Sequence, residues 1–170
     1  PGAFAYTPAS GAVLAAGAAQ TLSLTFTPTD TTTYGNVTAT VPIDVQPAAL
    51  TIAAENKAKR QGESLPTLTA IYSGFVNADT TAQLTTLPTL TTTATTSSPV
   101  GTYPITATGA VGSNYAIGYL NGTLTVTTKL VPTIAWTPPS IITYGTALSA
   151  AKLNATASVP GTFAYSPASG

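Results

Sequence analysis

Cysteine, methionine and histidine are absent from these 170 residues, and charge nearly so: five basic and five acidic side chains cancel to a formal net charge of zero. Each absence excludes a class of function. Without Cys or His there are no soft ligands for a transition metal. Without His, and with five carboxylates, acid–base and nucleophilic catalysis have almost no reagents. A neutral chain has no long-range field to draw in a phosphate backbone or an anionic lipid surface. The chain is therefore expected not to be an enzyme, to hold no cofactor or metal, and to bind no nucleic acid. The lack of any run of about twenty apolar residues predicts no membrane insertion. The missing cysteines leave the redox compartment open, because an extracellular domain that buries enough apolar surface needs no disulfide.

What is present is strand chemistry. Threonine is the most abundant residue, about a fifth of the chain, and a β-branched hydroxyl suits the outer face of a pleated sheet. Fourteen Gly and fourteen Pro punctuate it. Period-two alternation predicts strands at 12–16, 20–26 and 37–45, with Leu22, Leu24 and Phe26 on one face. Further strands are predicted at 50–53, 68–72, 82–86, 90–94, 102–107, 115–120 and 123–127, and again at 133–139, 141–145 and 153–159. Asn121-Gly122 predicts a type I′ hairpin turn. Pro42 predicts an edge or a bulge.

The chain also repeats itself. Pro1-Gly-Ala-Phe-Ala-Tyr-Thr-Pro-Ala-Ser-Gly11 returns as Pro160-Gly-Thr-Phe-Ala-Tyr-Ser-Pro-Ala-Ser-Gly170, with changes only at Ala3/Thr162 and Thr7/Ser166. We expect a segment of a tandem array in which residues 1–47 are the C-terminal part of one domain, 48–128 a complete domain, and 129–170 the N-terminal part of the next. Joining 129–170 to 12–47 rebuilds a domain of about eighty residues, and seven or so short strands in that length predict an all-β fold of tandem Greek-key β-sandwiches. The connectors Asp44–Leu50 and Thr127–Pro132 are short and proline-bearing, which predicts a semi-rigid rod with a rise of roughly 70 to 80 Å per period. An alternative is that residues 129–170 of one molecule complete residues 1–47 of the next.

Ile71-Tyr-Ser-Gly-Phe-Val-Asn-Ala-Asp-Thr80, Thr95-Thr-Ser-Ser-Pro-Val-Gly-Thr-Tyr-Pro-Ile105 and Asn121-Gly-Thr-Leu-Thr-Val126 resemble the MBG (mostly β, glycine-rich) repeats of bacterial surface proteins. Thr133-Ile-Ala-Trp136, Ile142–Leu148, Val159–Tyr165 and Leu24–Tyr34 are similar to the bacterial Ig-like repeats of very large secreted proteins. The resemblance implies an extracellular or cell-surface structural repeat, in adhesin-like or filament-like assemblies, with no catalytic residues to carry over. It also implies that Asp30-Thr-Thr-Thr-Tyr34 is a tyrosine corner, which assigns Tyr34 and Asp30 to stability.

The remaining candidates each have a plain and a functional reading. Glu55–Glu63 carries half the charged residues and reads as a solvated turn, with docking to an acidic polymer as the alternative. Trp136, Tyr144, Tyr165 and Tyr6 read as core or domain-junction packing, Trp136 above all, with a stacking platform for a glycan as the alternative. Asn77 and Asp79 read as turn residues, since a calcium site needs six to eight oxygens. Lys152 with Asn36 and Asp30 is a remote candidate for an internal amide crosslink. The sequons at Asn36, Asn121 and Asn154 read as chance in so threonine-rich a chain, and the threonine runs read as β-strand surface, with O-linked sugars as the alternative. The expected partners are neighbouring repeats of the same chain, with lateral or end-to-end self-association and a glycan as further candidates.

Overall fold

A strand that alternates apolar and hydroxyl side chains must put its apolar side against something, and the chain meets that demand unevenly. The computed structural model describes residues 1–138 and 140–168. It is all-β, and among the described residues the one helical element is a 3-10 turn, Thr81–Gln83. The chain divides into two compact units, Pro1–Thr127 and Thr128–Gly170.

The first unit opens with a three-stranded antiparallel sheet of β1 (Gly2–Thr7), β2 (Gly17–Pro28) and β3 (Val37–Val45), in the order β1-β2-β3. Phe4 lies opposite Phe26, Tyr6 and Ala39 opposite Leu24, and Val41 opposite Leu22, so one face is continuously apolar. The other face is hydroxylic, with the Thr25 and Thr38 side chains 3.2 Å apart. Pro42 sits on β3, an edge strand, where a missing N–H costs no ladder bond. The strand expected at 12–16 is a loop instead. Its donors are spent elsewhere: Ala16 N–H donates to Asn114 Oδ1 (2.9 Å), and Ala19, at φ 52, donates to Asp44 Oδ1 (2.7 Å).

Seven strands follow: β4 (Ala48–Ala54), β5 (Lys57–Arg60), β6 (Ala70–Ser73), β7 (Thr89–Thr92), β8 (Gly101–Thr108), β9 (Tyr115–Leu120) and β10 (Gly122–Thr127). They form two sheets, β6-β4-β9 and β5-β10-β8-β7, in which β4–β9 and β5–β10 are parallel pairs. One core joins them. Leu50 and Ile52 of β4, Ile105 of β8 and Leu124 and Val126 of β10 are fully buried, and Ala54, Leu84, Ala107 and Tyr115 pack with them.

Three expectations need correction here. Residues 82–86 are not a strand: Thr80 Oγ1 accepts from Ala82 N–H (3.3 Å) while Gln83 Oε1 accepts from Thr80 N–H (2.7 Å), a reciprocal cap that winds Thr81–Gln83 into a 3-10 turn. Lys57–Arg60, read as part of a charged turn, is strand β5 alongside β10. Asn121-Gly122 is not a hairpin turn, because β9 pairs with β4 while β10 pairs with β5 and β8. Neither residue has positive φ. The glycine serves close approach instead: a Cβ on Gly122 would lie 2.5 Å from the Ala54 carbonyl oxygen where the chain crosses between sheets.

In the second unit, β11 (Ile134–Ala135) and β12 (Thr156–Ala157) form a two-stranded antiparallel ladder. The longer strands expected at 133–139, 141–145 and 153–159 shrink to this, with Pro139 outside the described residues. A two-stranded ribbon has too little apolar cover to extend itself.

The core predicts its own sensitivity. Ile52→Ala, at a side chain with no exposure, should lower the unfolding free energy by about 2–5 kcal/mol in a denaturant titration. Ile71→Ala, on the exposed side of β6, should change it by no more than about 0.5 kcal/mol.

Candidate functional site

The side chains singled out by the sequence fall at separate places, so the site is assembled here from the polar groups that fix loops and junctions. Asp30 organises the β2–β3 loop. Its Oδ1 accepts from the Thr32 hydroxyl (2.6 Å) and from the Thr32 and Thr33 N–H groups (both 3.1 Å), and these bonds, the Thr32 hydroxyl foremost, hold its carboxyl down at about 2. Tyr34 is exposed and lines a shallow cavity of 420 Å³ with Pro1, Phe26, Pro28 and Val37. Among the described residues its hydroxyl makes none of the upstream backbone bonds that define a tyrosine corner.

That geometry occurs elsewhere. Tyr103, near the start of β8, donates its hydroxyl to the Pro99 carbonyl (2.9 Å), four residues upstream. Tyr119 makes a related lock, its oxygen accepting from Ala110 N–H at 2.8 Å. The signal for Tyr103 was in the sequence as a tyrosine four residues after Pro99 and two after Gly101.

Asn77 and Ala78 take the left-handed conformation, φ 54 and 60, and Asp79 accepts a hydrogen bond from the Tyr115 hydroxyl (2.5 Å). Burial, followed by the bond to Asp79, pushes the Tyr115 phenol up from its ordinary value. The carboxylate is thus occupied in anchoring a loop. No three acidic side chains gather among the described residues.

The charged stretch is less solvated than its composition suggested. Lys59 is 5% exposed, and its ammonium donates to the Glu63 carbonyl (2.8 Å) and the Thr96 carbonyl (3.1 Å). Snorkelling past the core, it ties the 60–63 turn to the 95–98 loop. Glu55 takes the Thr69 hydroxyl and Lys57, which together hold its carboxyl below the usual range.

Trp136 is half exposed within its unit. Its indole N–H donates to the Lys152 carbonyl (3.0 Å), and its ring meets Tyr165 edge-on at 5.5 Å. Tyr144 is fully exposed, and the Lys152 ammonium donates to the Ala147 carbonyl (2.6 Å).

The arrangement with mechanical content lies within the first unit, where β3 ends at Val45 and β4 begins at Ala48. Only Gln46 and Pro47 intervene. Asn114 clamps both sides: its side-chain oxygen accepts from Ala16 N–H (2.9 Å) and its carbonyl accepts from Ala48 N–H (2.9 Å). Val13, Leu14 and Val45 close on Val76, Asn114 and Tyr115 around a cavity of 170 Å³. Sequence reasoning identified the connector but missed Asn114, whose partners are 98 and 66 positions away.

Residues 50–125 match the family model described as MBG domain (YGX type). No curated protein and no solved structure shows significant similarity to the chain. No helix among the described residues is long and apolar enough to cross a membrane.

Two outcomes follow. The Asp30 carboxyl should titrate by NMR at about 2 rather than at 3.8. Because its folded value is depressed, its stabilising contribution is complete above about pH 3.8 and is lost as pH falls towards 2. Tyr103→Phe should cost about 0.5–1.5 kcal/mol in thermal or denaturant unfolding.

Proposed function

We propose that this chain, whose residues 50–125 are an MBG-type domain, is a structural repeat segment of a very long extracellular bacterial protein, serving as a semi-rigid rod, stalk or filament. The observation that carries this reading is the β3–β4 junction. Two residues join the sheets, one of them proline, and the Asn114 clamp and the apolar contacts around Val45 oppose bending there. Repeated along an array, such junctions transmit orientation from domain to domain.

The composition supports the same reading. A surface of threonine hydroxyls is kept wet with few charges, and the chain has no cysteine or methionine sulfur to oxidise. Neighbouring repeats are the partners this reading requires. An adhesin that binds glycan or matrix is the competing reading, and it rests on the exposure of Tyr144 and Trp136. Glycan-array binding lost on Trp136→Ala, with folding intact, would favour it over the rod.

The rod reading is tested by residual dipolar couplings on the 170-residue chain. The β1–β3 sheet and residues 48–127 should fit a single alignment tensor, and inserting Gly-Ser-Gly-Ser between Gln46 and Pro47 should split it in two. Separate tensors in the unaltered chain would contradict a stiff junction.

A further inference from the structure

The two parallel pairs of residues 48–127 are halves of one seam. In β4–β9, Ala48 faces Tyr115 and Ala53 faces Leu120, and in β5–β10, Lys57 faces Leu124 and Arg60 faces Thr127. Every one of these pairs is 67 positions apart, and so is the bond that fills the gap between them, from Thr123 N–H to Asn56 Oδ1 (2.8 Å). The register therefore passes unbroken from one sheet to the other. Gly122 keeps the seam closed at the switch, since a Cβ there would lie 2.5 Å from the Ala54 carbonyl oxygen and 2.8 Å from that of Glu55. Residues 48–60 thus run beside residues 115–127 in the same direction, for roughly 40 Å at about 3.3 Å per residue.

The chain enters this seam from β3 at Ala48 and leaves it at Thr127, which are its opposite ends. A pull on the flanking segments draws residues 48–60 one way and residues 115–127 the other, along the strands. We propose that the parallel seam is a shear clamp, whose function is to bear tension passed along the chain. Loaded from opposite ends, its hydrogen bonds share the force and must give together. Loaded from one end, the same bonds fail one at a time. A hairpin at Asn121-Gly122 would have brought Thr127 back beside Tyr115 and left only the second, weaker geometry.

The ends of the seam are fastened where the load arrives. Ala48 N–H donates to the Asn114 carbonyl (2.9 Å) at the entry, and Gln61 N–H donates to the Thr127 carbonyl (2.9 Å) at the exit. β5 is an edge strand, with a ladder on its β10 side alone. The buried Lys59 ammonium compensates, for its bonds to the Glu63 and Thr96 carbonyls pin β5 to the 95–98 loop.

The inference deepens the stalk reading and rests on it for the source of the pull. Its test does not involve the stiffness of the β3–β4 junction: a freely jointed chain would still deliver tension to Ala48 and Thr127, and a stiff one could still have a weak seam.

The test is single-molecule force spectroscopy of the full chain, which has no cysteine of its own, so tether points can be placed in pairs. Gln46→Cys with Thr128→Cys loads the seam from opposite ends, and Gln46→Cys with Ser113→Cys loads it from one end; all three positions are exposed and lie just outside it. At equal pulling speed the opposite-end geometry should unfold at about twice the force of the one-end geometry or more, because forced unfolding reads the barrier along the pull and not the equilibrium stability. That event is identified by a length gain of about 240 Å, the extended length of the released segment less that of the seam. Proline variants locate the clamp. Gln61 N–H points to β10 and Arg60 N–H points away, to Glu63 Oε2 (2.7 Å), so by alternation Lys57 N–H faces β10 and Ala58 N–H faces away. Lys57→Pro should lower the opposite-end force and leave the one-end force as it is, whereas Ala58→Pro should change neither. Equal forces in the two geometries, or Lys57→Pro acting no more strongly than Ala58→Pro, would overturn the proposal.

Discussion

Cover for the apolar side of each sheet is the constraint on which the rest of this structure depends. Period-two alternation creates a greasy face and a hydroxylic face on every strand, and the greasy one is stable only against a second layer. Between residues 48 and 127 two sheets give each other that cover, and Leu50, Ile52, Ile105 and Leu124 disappear from solvent. In residues 1–47 the same alternation builds a three-stranded sheet on which Phe4, Tyr6 and Val41 are exposed among the described residues. One rule thus accounts for both the buried core of residues 48–127 and the exposed apolar face of β1–β3.

Polar groups in this chain do mechanical work rather than chemistry. Asp30, Lys59 and Asn114 each hold a loop or a junction through two or three hydrogen bonds, and Asp79 holds its loop through one, from the Tyr115 hydroxyl. With ten formally charged side chains in the chain, this use of them leaves few to spare. Tyrosines take a similar part: Tyr103, Tyr115 and Tyr119 pack their rings along strands and tie their hydroxyls to loops.

Much of the fold was legible because alternation is a local signal. Leu22, Leu24 and Phe26 were placed on one face by counting in twos, strands were expected at 50–53 and 123–127 where β4 and β10 run, and the match of residues 50–125 to the MBG domain model was foreshadowed by spaced motifs across 71–126. What escaped was set by distant partners. Asn121-Gly122 has the residues of a tight hairpin, yet β9 and β10 belong to different sheets, since Ala48–Ala54 and Lys57–Arg60 claim them. Lys59 looked solvated until β5 paired with β10 and buried it. The tyrosine lock was expected at Tyr34 and lies at Tyr103, whose hydroxyl reaches the Pro99 carbonyl, while the Tyr34 hydroxyl has no such bond among the described residues. Residues 12–16 alternate weakly and form a loop, with the Ala16 N–H spent on Asn114.

The central claim is that the two sheets of residues 48–127 are held by one shared apolar core. Native-state hydrogen exchange on the 170-residue chain tests it most directly. The account predicts that the amides of β4, β8 and β10 are protected to one common level, that of global unfolding. Exchange of the β6-β4-β9 and β5-β10-β8-β7 sheets at separate levels would contradict it.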